Sequence, residues 1–304
     1  DSEQYDRAAG IIMEMLANPA LRNRGSKLAV MLVKARGDAD AAGRLLDRYL
    51  ESGGKDMSFA VAMAEAMADL GANKQAAAVL DRYLQPGVDD DRAALRLARL
   101  YGRTGNGVAA GRQLATILAE EGAELLEVRP ELLRLAWYGQ VTAEDVKKLA
   151  AAADDEVDPL KPALLTVAGA LAGALDDQEQ ATALLRKATD NAPNYWPAYD
   201  ALADVRLRNW DREGLADLAE RIRRASDETY FRHYLLGRLA FEQGRLDEAV
   251  EHLRNAKVRR SRHVATLNLL GRAYLYRGKV EDAQRTLSSA AGLAPGHPDV
   301  VADL

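Results

Sequence analysis

Side chains able to do covalent or acid–base chemistry are few in this chain and poorly spaced for it. No cysteine occurs, which excludes a disulfide, a thiolate metal site and a cysteine nucleophile. His233, His252, His263 and His297 form no i, i+4 pair and no HExxH pattern, the spacings that place two imidazoles on one metal ion. They are expected as solvated surface histidines. The run Asp89, Asp90 and Asp91 lacks the alternating oxygen ligands, the central glycine and the terminal glutamate of a calcium loop. Gly102 to Gly107 reads GRTGNG but has neither a preceding strand nor the lysine of a phosphate loop. GxGxxG between strand and helix, GxxxxGKS/T and GxSxG are all missing. The expectation is a chain with no catalytic residue, no metal and no cofactor.

Ionic recognition is what the residues offer instead. Arg92, Arg96, Arg99 and Arg103 follow one another at spacings of 4, 3 and 4, which puts them on one helical face opposite Ala94, Leu97, Ala98 and Tyr101. Four like charges in a stripe repel unless solvent screens them or an anionic partner neutralises them, and arginine holds carboxylates through paired, charge-assisted hydrogen bonds.

Such a stripe needs helices in fixed places, and repetition supplies them. LLDRYL ends at Leu50 and VLDRYL at Leu84, an offset of 34 residues. Gly37, Gly71 and Gly105 keep that offset, as do Ala42, Ala76 and Ala110, and Leu46, Leu80 and Leu114. Later in the chain Gly169, Ala203, Gly237 and Gly271 form one ladder and Ala188, Ile222, Ala256 and Ala290 another. Ala181, Ala249 and Ala283 form a third, broken by Leu215. Leu267, Leu270, Gly271 and Tyr274 fall at i, i+3, i+4 and i+7, and Val280, Ala283, Leu287 and Ala290 make a second stripe, so each unit is two helices. Gly278 and Gly244 supply the turns between helices, and Pro193 and Pro295 end the second ones. Glycine inside a helix, as at Gly237, costs about 0.5–1 kcal/mol relative to alanine, an expense that close approach of the paired helix would offset.

These residues resemble the tetratricopeptide-repeat family. Leu267, Leu270, Gly271, Tyr274, Gly278, Ala283, Leu287, Ala290 and Pro295 match its 34-residue pattern nearly in full. The resemblance implies an all-α, right-handed α-solenoid of antiparallel helix pairs, with about eight repeats and partial repeats at each end. The expected frame has an N-terminal arm at 1–124 (partial 1–22, then 23–56, 57–90 and 91–124). An irregular junction follows at 125–161, then a C-terminal arm at 162–304 (162–195, 196–229, 230–263, 264–297, partial 298–304). In the junction the stripes survive as Leu132, Leu135 and Ala136, then Val146, Leu149 and Ala150, with Thr142 as a cap three residues before Asp145. Its extra residues are expected in the loop Asp154 to Pro159. Because Ala8, Ile12 and Met15 land on second-helix positions and 298–304 begins another unit, the chain reads as a fragment of a longer array.

The resemblance further implies that first helices line a concave groove. Its groove positions select Lys27, Arg92, Arg96, Arg99 and Arg103 in one arm, and Tyr234, Arg238, Phe241, Asn268, Arg272 and Tyr276 in the other. Lys27, Arg92 and Arg96 coincide with the basic positions by which chaperone-adaptor members clamp a terminal carboxylate. Met31 and Ala62 stand where that clamp has asparagines, which argues against a chaperone tail specifically and leaves another acidic ligand open. Aromatics beside arginine are common hot-spot anchors, for peptide or sugar, though Tyr234 and Phe241 could equally pack between repeats. Only Asn268 maps inward as asparagine, so no asparagine ladder of the glycosyltransferase kind is present. Arg254 to His263 (RNAKVRRSRH) is read as a helix end whose basic residues favour the dipole.

Composition narrows the class. Lys+Arg 41 against Asp+Glu 46 leaves a net charge of −5, which opposes a general nucleic-acid binder. No apolar run reaches the length needed to cross a membrane. The leading expectation is a non-catalytic scaffold that receives a protein or peptide segment; the arginine stripe reads either as a solvated face or as a site for an acidic segment. Two alternatives are an envelope accessory handling polysaccharide or its export machinery, and a regulatory arm of a larger enzyme. Cytoplasm and periplasm both fit.

Overall fold

The computed structural model describes residues 2–52, 57–83, 91–224 and 229–293, with side chains described except at 2–3, 57, 80–83 and 91–93. Asp89, Asp90, Pro295, His297, the 298–304 repeat start and the side chain of Arg92 therefore lie outside the described residues. Within them, seventeen α-helices and one 3-10 turn at Ala153–Asp155 occur and no strand.

The chain divides into two compact units. One runs to Ile117 and takes in Glu131–Leu149; the other comprises Leu118–Pro130 and the residues from Ala150 on. In the first, α1 (Ser2–Ala17) precedes the pairs α2 (Arg22–Arg36) with α3 (Ala39–Glu51), α4 (Met57–Asp69) with α5 (Asn73–Tyr83), and α6 (Asp91–Arg103) with α7 (Gly107–Leu118). The division falls within α8 (Leu125–Trp137), and α9 (Ala143–Ala152) follows it. The second unit holds α10 (Leu160–Ala174) with α11 (Gln178–Asn191), α12 (Trp196–Arg208) with α13 (Arg212–Arg224), α14 (Tyr230–Glu242) with α15 (Leu246–Arg259), and α16 (Val264–Tyr276) with α17 (Val280–Leu293).

First helices stack on first helices: α2 on α4 and α4 on α6 in one unit, α10 on α12, α12 on α14 and α14 on α16 in the other. This places their outer faces side by side, which is what a binding wall requires. The apolar stripe read from the sequence is the buried one, as at Ala94, Leu97, Ala98 and Tyr101 of α6.

The helical glycines have the predicted cause. A methyl group added at Gly169, Gly237 or Gly271 would meet Cγ of Leu185, Leu253 or Leu287 at 2.6, 2.7 and 2.6 Å. In each case the leucine stands 16 residues later, on the paired helix. The intervening repeat has Ala203 and Ala219 at those positions, both buried, so it is small on both sides.

Polar caps set where helices begin. Asp38 accepts from the amides of Asp40 and Ala41, Asp177 from Gln180, and Thr229 from Arg232. Thr142 and Asp145 form the expected reciprocal cap, with the Asp145 amide donating to Thr142 Oγ1 at 3.2 Å and the Thr142 amide to Asp145 Oδ2 at 2.9 Å.

The turns between paired helices carry the clearest trace of the frame. Gly37, Gly71, Gly105 and Gly139, then Asp176, Trp210, Gly244 and Gly278, all have left-handed φ, from 54° to 82°. Successive members stand 34 apart except for the step from Gly139 to Asp176, which is 37. That interval contains the 3-10 turn at Ala153–Asp155.

Trp210 is the anomaly of this ladder: φ is 54° and the side chain is 82% exposed. The left-handed region costs a residue with a Cβ about 1–2 kcal/mol, and here no burial offsets it. Trp210→Gly is therefore expected to stabilise the second unit by about 1 kcal/mol, read as a higher urea midpoint; an unchanged or lower midpoint would refute this.

Candidate functional site

On the first unit, α2, α4, α6 and the end of α8 present an ionic ladder. Arg96 holds Glu65 through two hydrogen bonds, Nε to Oε1 at 3.0 Å and Nη2 to Oε2 at 2.6 Å. Arg103 reaches Asp69 at 2.8 Å, and Lys34 reaches the other oxygen of Asp69 at 2.6 Å. Both cations hold the Asp69 carboxyl below its usual range, the hydrogen bond from Lys34 most strongly. Arg99, 57% exposed, donates Nε to Glu131 at 2.8 Å, and Arg134 takes the other Glu131 oxygen at 2.7 Å. Glu131 itself is buried.

The arginine stripe is thus neutralised by a route the sequence reading did not weigh: carboxylates of the flanking first helices. Neutralisation is incomplete. Lys27, Lys34, Arg96, Arg99, Arg103 and Arg134 are six cations set against three carboxylates, Glu65, Asp69 and Glu131. Lys27 is exposed two turns before Lys34 on α2, and Met31 between them is exposed as well.

The wall of the second unit is built differently. Arg129 of α8 reaches Asp200 at 3.0 Å and Asp204 at 2.9 Å, and Arg238 of α14 reaches Asp200 at 2.5 Å and also holds Asp204. Burial alone would raise the Asp204 carboxyl, but the guanidinium groups of Arg238 and Arg129 outweigh it and hold the group below the usual carboxylate range. Tyr234 is buried beside this cluster, edge-on to His263 with ring centroids 5.0 Å apart. Burial, and then the Asp200 charge, raise its phenol.

Three other predicted residues come together on the accessible part. Phe241 meets Tyr276 edge to face at 5.6 Å, and the Arg272 guanidinium lies 5.1 Å over the Phe241 ring. Tyr276 is exposed, and Asn268 is half-buried one turn before Arg272.

The histidines depart from expectation. His263 is buried, not solvated: Nε2 lies 2.6 Å from Glu124, and Nδ1 lies 2.5 Å from Thr266 Oγ1. Arg260 joins the same carboxylate at 2.9 Å and also meets the Tyr230 hydroxyl. Two residues of the basic run are thereby spent on Glu124, 136 and 139 positions away, while Arg259 donates to the Asn255 carbonyl at the helix end as the dipole reading expects. His233 and His252 face each other, both half-buried, with burial lowering the His252 pKa. Nearby, Trp196, Tyr230, Phe231 and Pro159 help to line a cavity of 690 Å³.

Residues 240–304 match the tetratricopeptide repeat family, at the segment where the pattern of Gly271, Tyr274, Gly278, Ala283 and Ala290 is fullest. That segment carries the tetratricopeptide repeat. No curated protein matches the chain. Among solved structures, the chain is similar to a MamA RS-1 ArsTM double mutant, at 18% identity over 56% of this chain and 94% of that one, TM-score 0.38. It is also similar to yeast Tom70, at 14% identity over 100% and 84% of the two chains, TM-score 0.39. A third similarity is to the human IFIT1 dimer with PPP-AAAA, at 17% identity over 80% and 60%, TM-score 0.34.

A tetratricopeptide-repeat fold is that of a protein–protein interaction scaffold. Among the described residues no helix is long and apolar enough to cross a membrane, and no three His, Cys, Asp or Glu side chains gather as for a metal ion. The family map also reaches a residue that sequence reasoning passed over. Trp137 occupies the position of Arg103 one repeat on, and is 74% exposed, close in sequence to Arg134. Its signal was available, because 137 is 103 plus 34.

Proposed function

We propose that the chain is a non-catalytic scaffold whose first-helix walls each hold a segment of a partner protein, and that the first unit selects an acidic segment. The observation that supports this reading is the excess of cations over carboxylates along α2, α4, α6 and α8. A guanidinium carries five N–H donors, so an arginine already holding one carboxylate retains capacity for a second. The exposed indole of Trp137 beside this ladder would supply an apolar anchor. In the second unit Phe241, Arg272 and Tyr276 form the corresponding contact set, while Arg129 and Arg238, with their aspartates, fix the wall that carries it.

Binding of acidic and neutral peptides to the intact chain, followed by fluorescence anisotropy at two salt concentrations, tests the proposal. Acidic peptides are expected to bind more tightly and to weaken with salt. Arg96→Glu with Arg99→Glu should abolish that binding. Because such reversals also strip Glu65 and Glu131 of their partners, a gain-of-function variant is the sharper probe. Glu65→Gln removes a competing carboxylate at a half-exposed position and should tighten acidic peptides about threefold to tenfold, since a surface charge interaction is worth about 1 kcal/mol. Equal affinity for acidic and neutral peptides, or no gain from Glu65→Gln, would overturn the acidic-segment reading.

A further inference from the structure

We propose that His233 and His252 form an exchangeable transition-metal site within the repeat at 230–263. Their Nδ1 atoms lie 3.4 Å apart, with ring centroids at 5.7 Å and planes inclined by 39°. Metal–imidazole bonds are about 2.0–2.1 Å long, so two of them meeting at tetrahedral or square angles separate their nitrogens by about 2.9–3.4 Å. The observed gap fits that bite. Without an ion, the same two nitrogens can share a proton as donor and acceptor.

The two rings are held at this separation by backbone. His233 stands on the first turn of α14 after the Thr229 cap, and His252 on α15, the helix that packs so closely on α14 that Leu253 leaves no room for a methyl group at Gly237. Both rings are only partly buried, so an ion and its waters can reach them. Behind the pair, Glu248 sits one turn before His252 with Oε1 4.0 Å from Nε2, the nitrogen left over when Nδ1 binds. Metal-bound histidines commonly give their second N–H to a carboxylate. Glu248 is itself held by Arg245, and Arg223 lies 3.8 Å away.

Two imidazoles without a hard oxygen ligand favour copper(II), nickel(II) and zinc(II) over magnesium or calcium, with copper(II) the tightest. Water completes the coordination shell, and the neighbouring arginines keep affinity modest, so the site exchanges its ion and ties α14 to α15 when occupied.

The test is calorimetric titration of the tag-free chain with copper(II), nickel(II) and zinc(II) chloride. Electron paramagnetic resonance of the copper form would accompany it. One equivalent per chain is expected, with copper(II) tightest, two nitrogen donors in the spectrum and a higher thermal midpoint for the loaded chain. His233→Ala and His252→Ala should each remove saturable binding, Glu248→Gln should weaken it about tenfold, and His297→Ala should leave it unchanged. Should an alanine variant lose helicity, His252→Asn carries the same expectation. Binding that survives loss of either histidine, a single-nitrogen spectrum, or no saturable binding would overturn the proposal.

Discussion

Replacing Arg238 by methionine will destabilise the second unit by about 3–5 kcal/mol, the range for removing one partner of a buried, hydrogen-bonded ion pair. The cost arises from what stays behind. Asp200 is buried and Asp204 partly so, and of the two guanidinium groups that hold both carboxylates only that of Arg129 then remains. Urea denaturation of Arg238→Met against the unaltered chain measures the loss. Adding Asp200→Asn and Asp204→Asn to the variant should recover a large part of it, because the stranded charges are then gone. The pH dependence carries the same signature. Asp204 has a depressed pKa in the folded chain, so its stabilisation is present above the unfolded carboxylate value, about 3.9, and is lost as the pH falls through the lower folded value. Arg238→Met should flatten that acid limb. A loss below about 1 kcal/mol, or an unchanged acid limb, would show that the cluster contributes little.

The opposite sign is expected at Arg206. This arginine of α12 is 1% exposed, and among the described residues its ion pair is with Asp217 at 3.5 Å. Among the described residues its Nε and Nη1 meet no acceptor. Burial, and then the charge of Arg186, lower its pKa. A methyl group at Gly214 would come within 2.2 Å of Nη1, so α13 closes over the guanidinium. Exchanging a poorly matched buried charge for an apolar side chain of similar length is often neutral or stabilising by about 1–4 kcal/mol. Arg206→Met should raise the urea midpoint of the second unit, and a clear drop would sink this expectation. The two arginines differ chiefly in their partners: Arg238, the less deeply buried, holds two aspartates, while Arg206 has one distant carboxylate.

Much of this architecture was legible in the sequence. The 34-residue ladders of Gly37, Ala42 and Leu46 gave the period, and the helical stripes gave the buried face. Gly237 and Gly271 announced a close helix approach that Leu253 and Leu287 complete. The ion pairs were harder, because a partner on the next repeat has no local signature. Yet a rule was present: Arg103 and Asp69 stand 34 apart, Arg238 and Asp204 also 34, Arg96 and Glu65 31. Searching one repeat back from each groove arginine for a carboxylate would have found the first two, and widening the search by one helical turn the third. Glu124 with His263, at 139 positions, obeys no such rule. It depends on how a loop folds back, which periodicity does not encode. The His233 and His252 contact escaped for a third reason, since a search for i, i+4 spacing looks along one helix and this pair spans two.

The exposure of the tryptophans also determines what light will report. All three of the chain's indoles are described, Trp137 and Trp210 largely in water and Trp196 6% exposed against Tyr199 at 5.4 Å. Steady-state emission of the native protein should therefore lie to the red and yield readily to acrylamide, as if the chain were already half unfolded. Only Trp196 will change colour when the second unit melts, so exchanging the other two for phenylalanine leaves a single-probe optical assay of that unit.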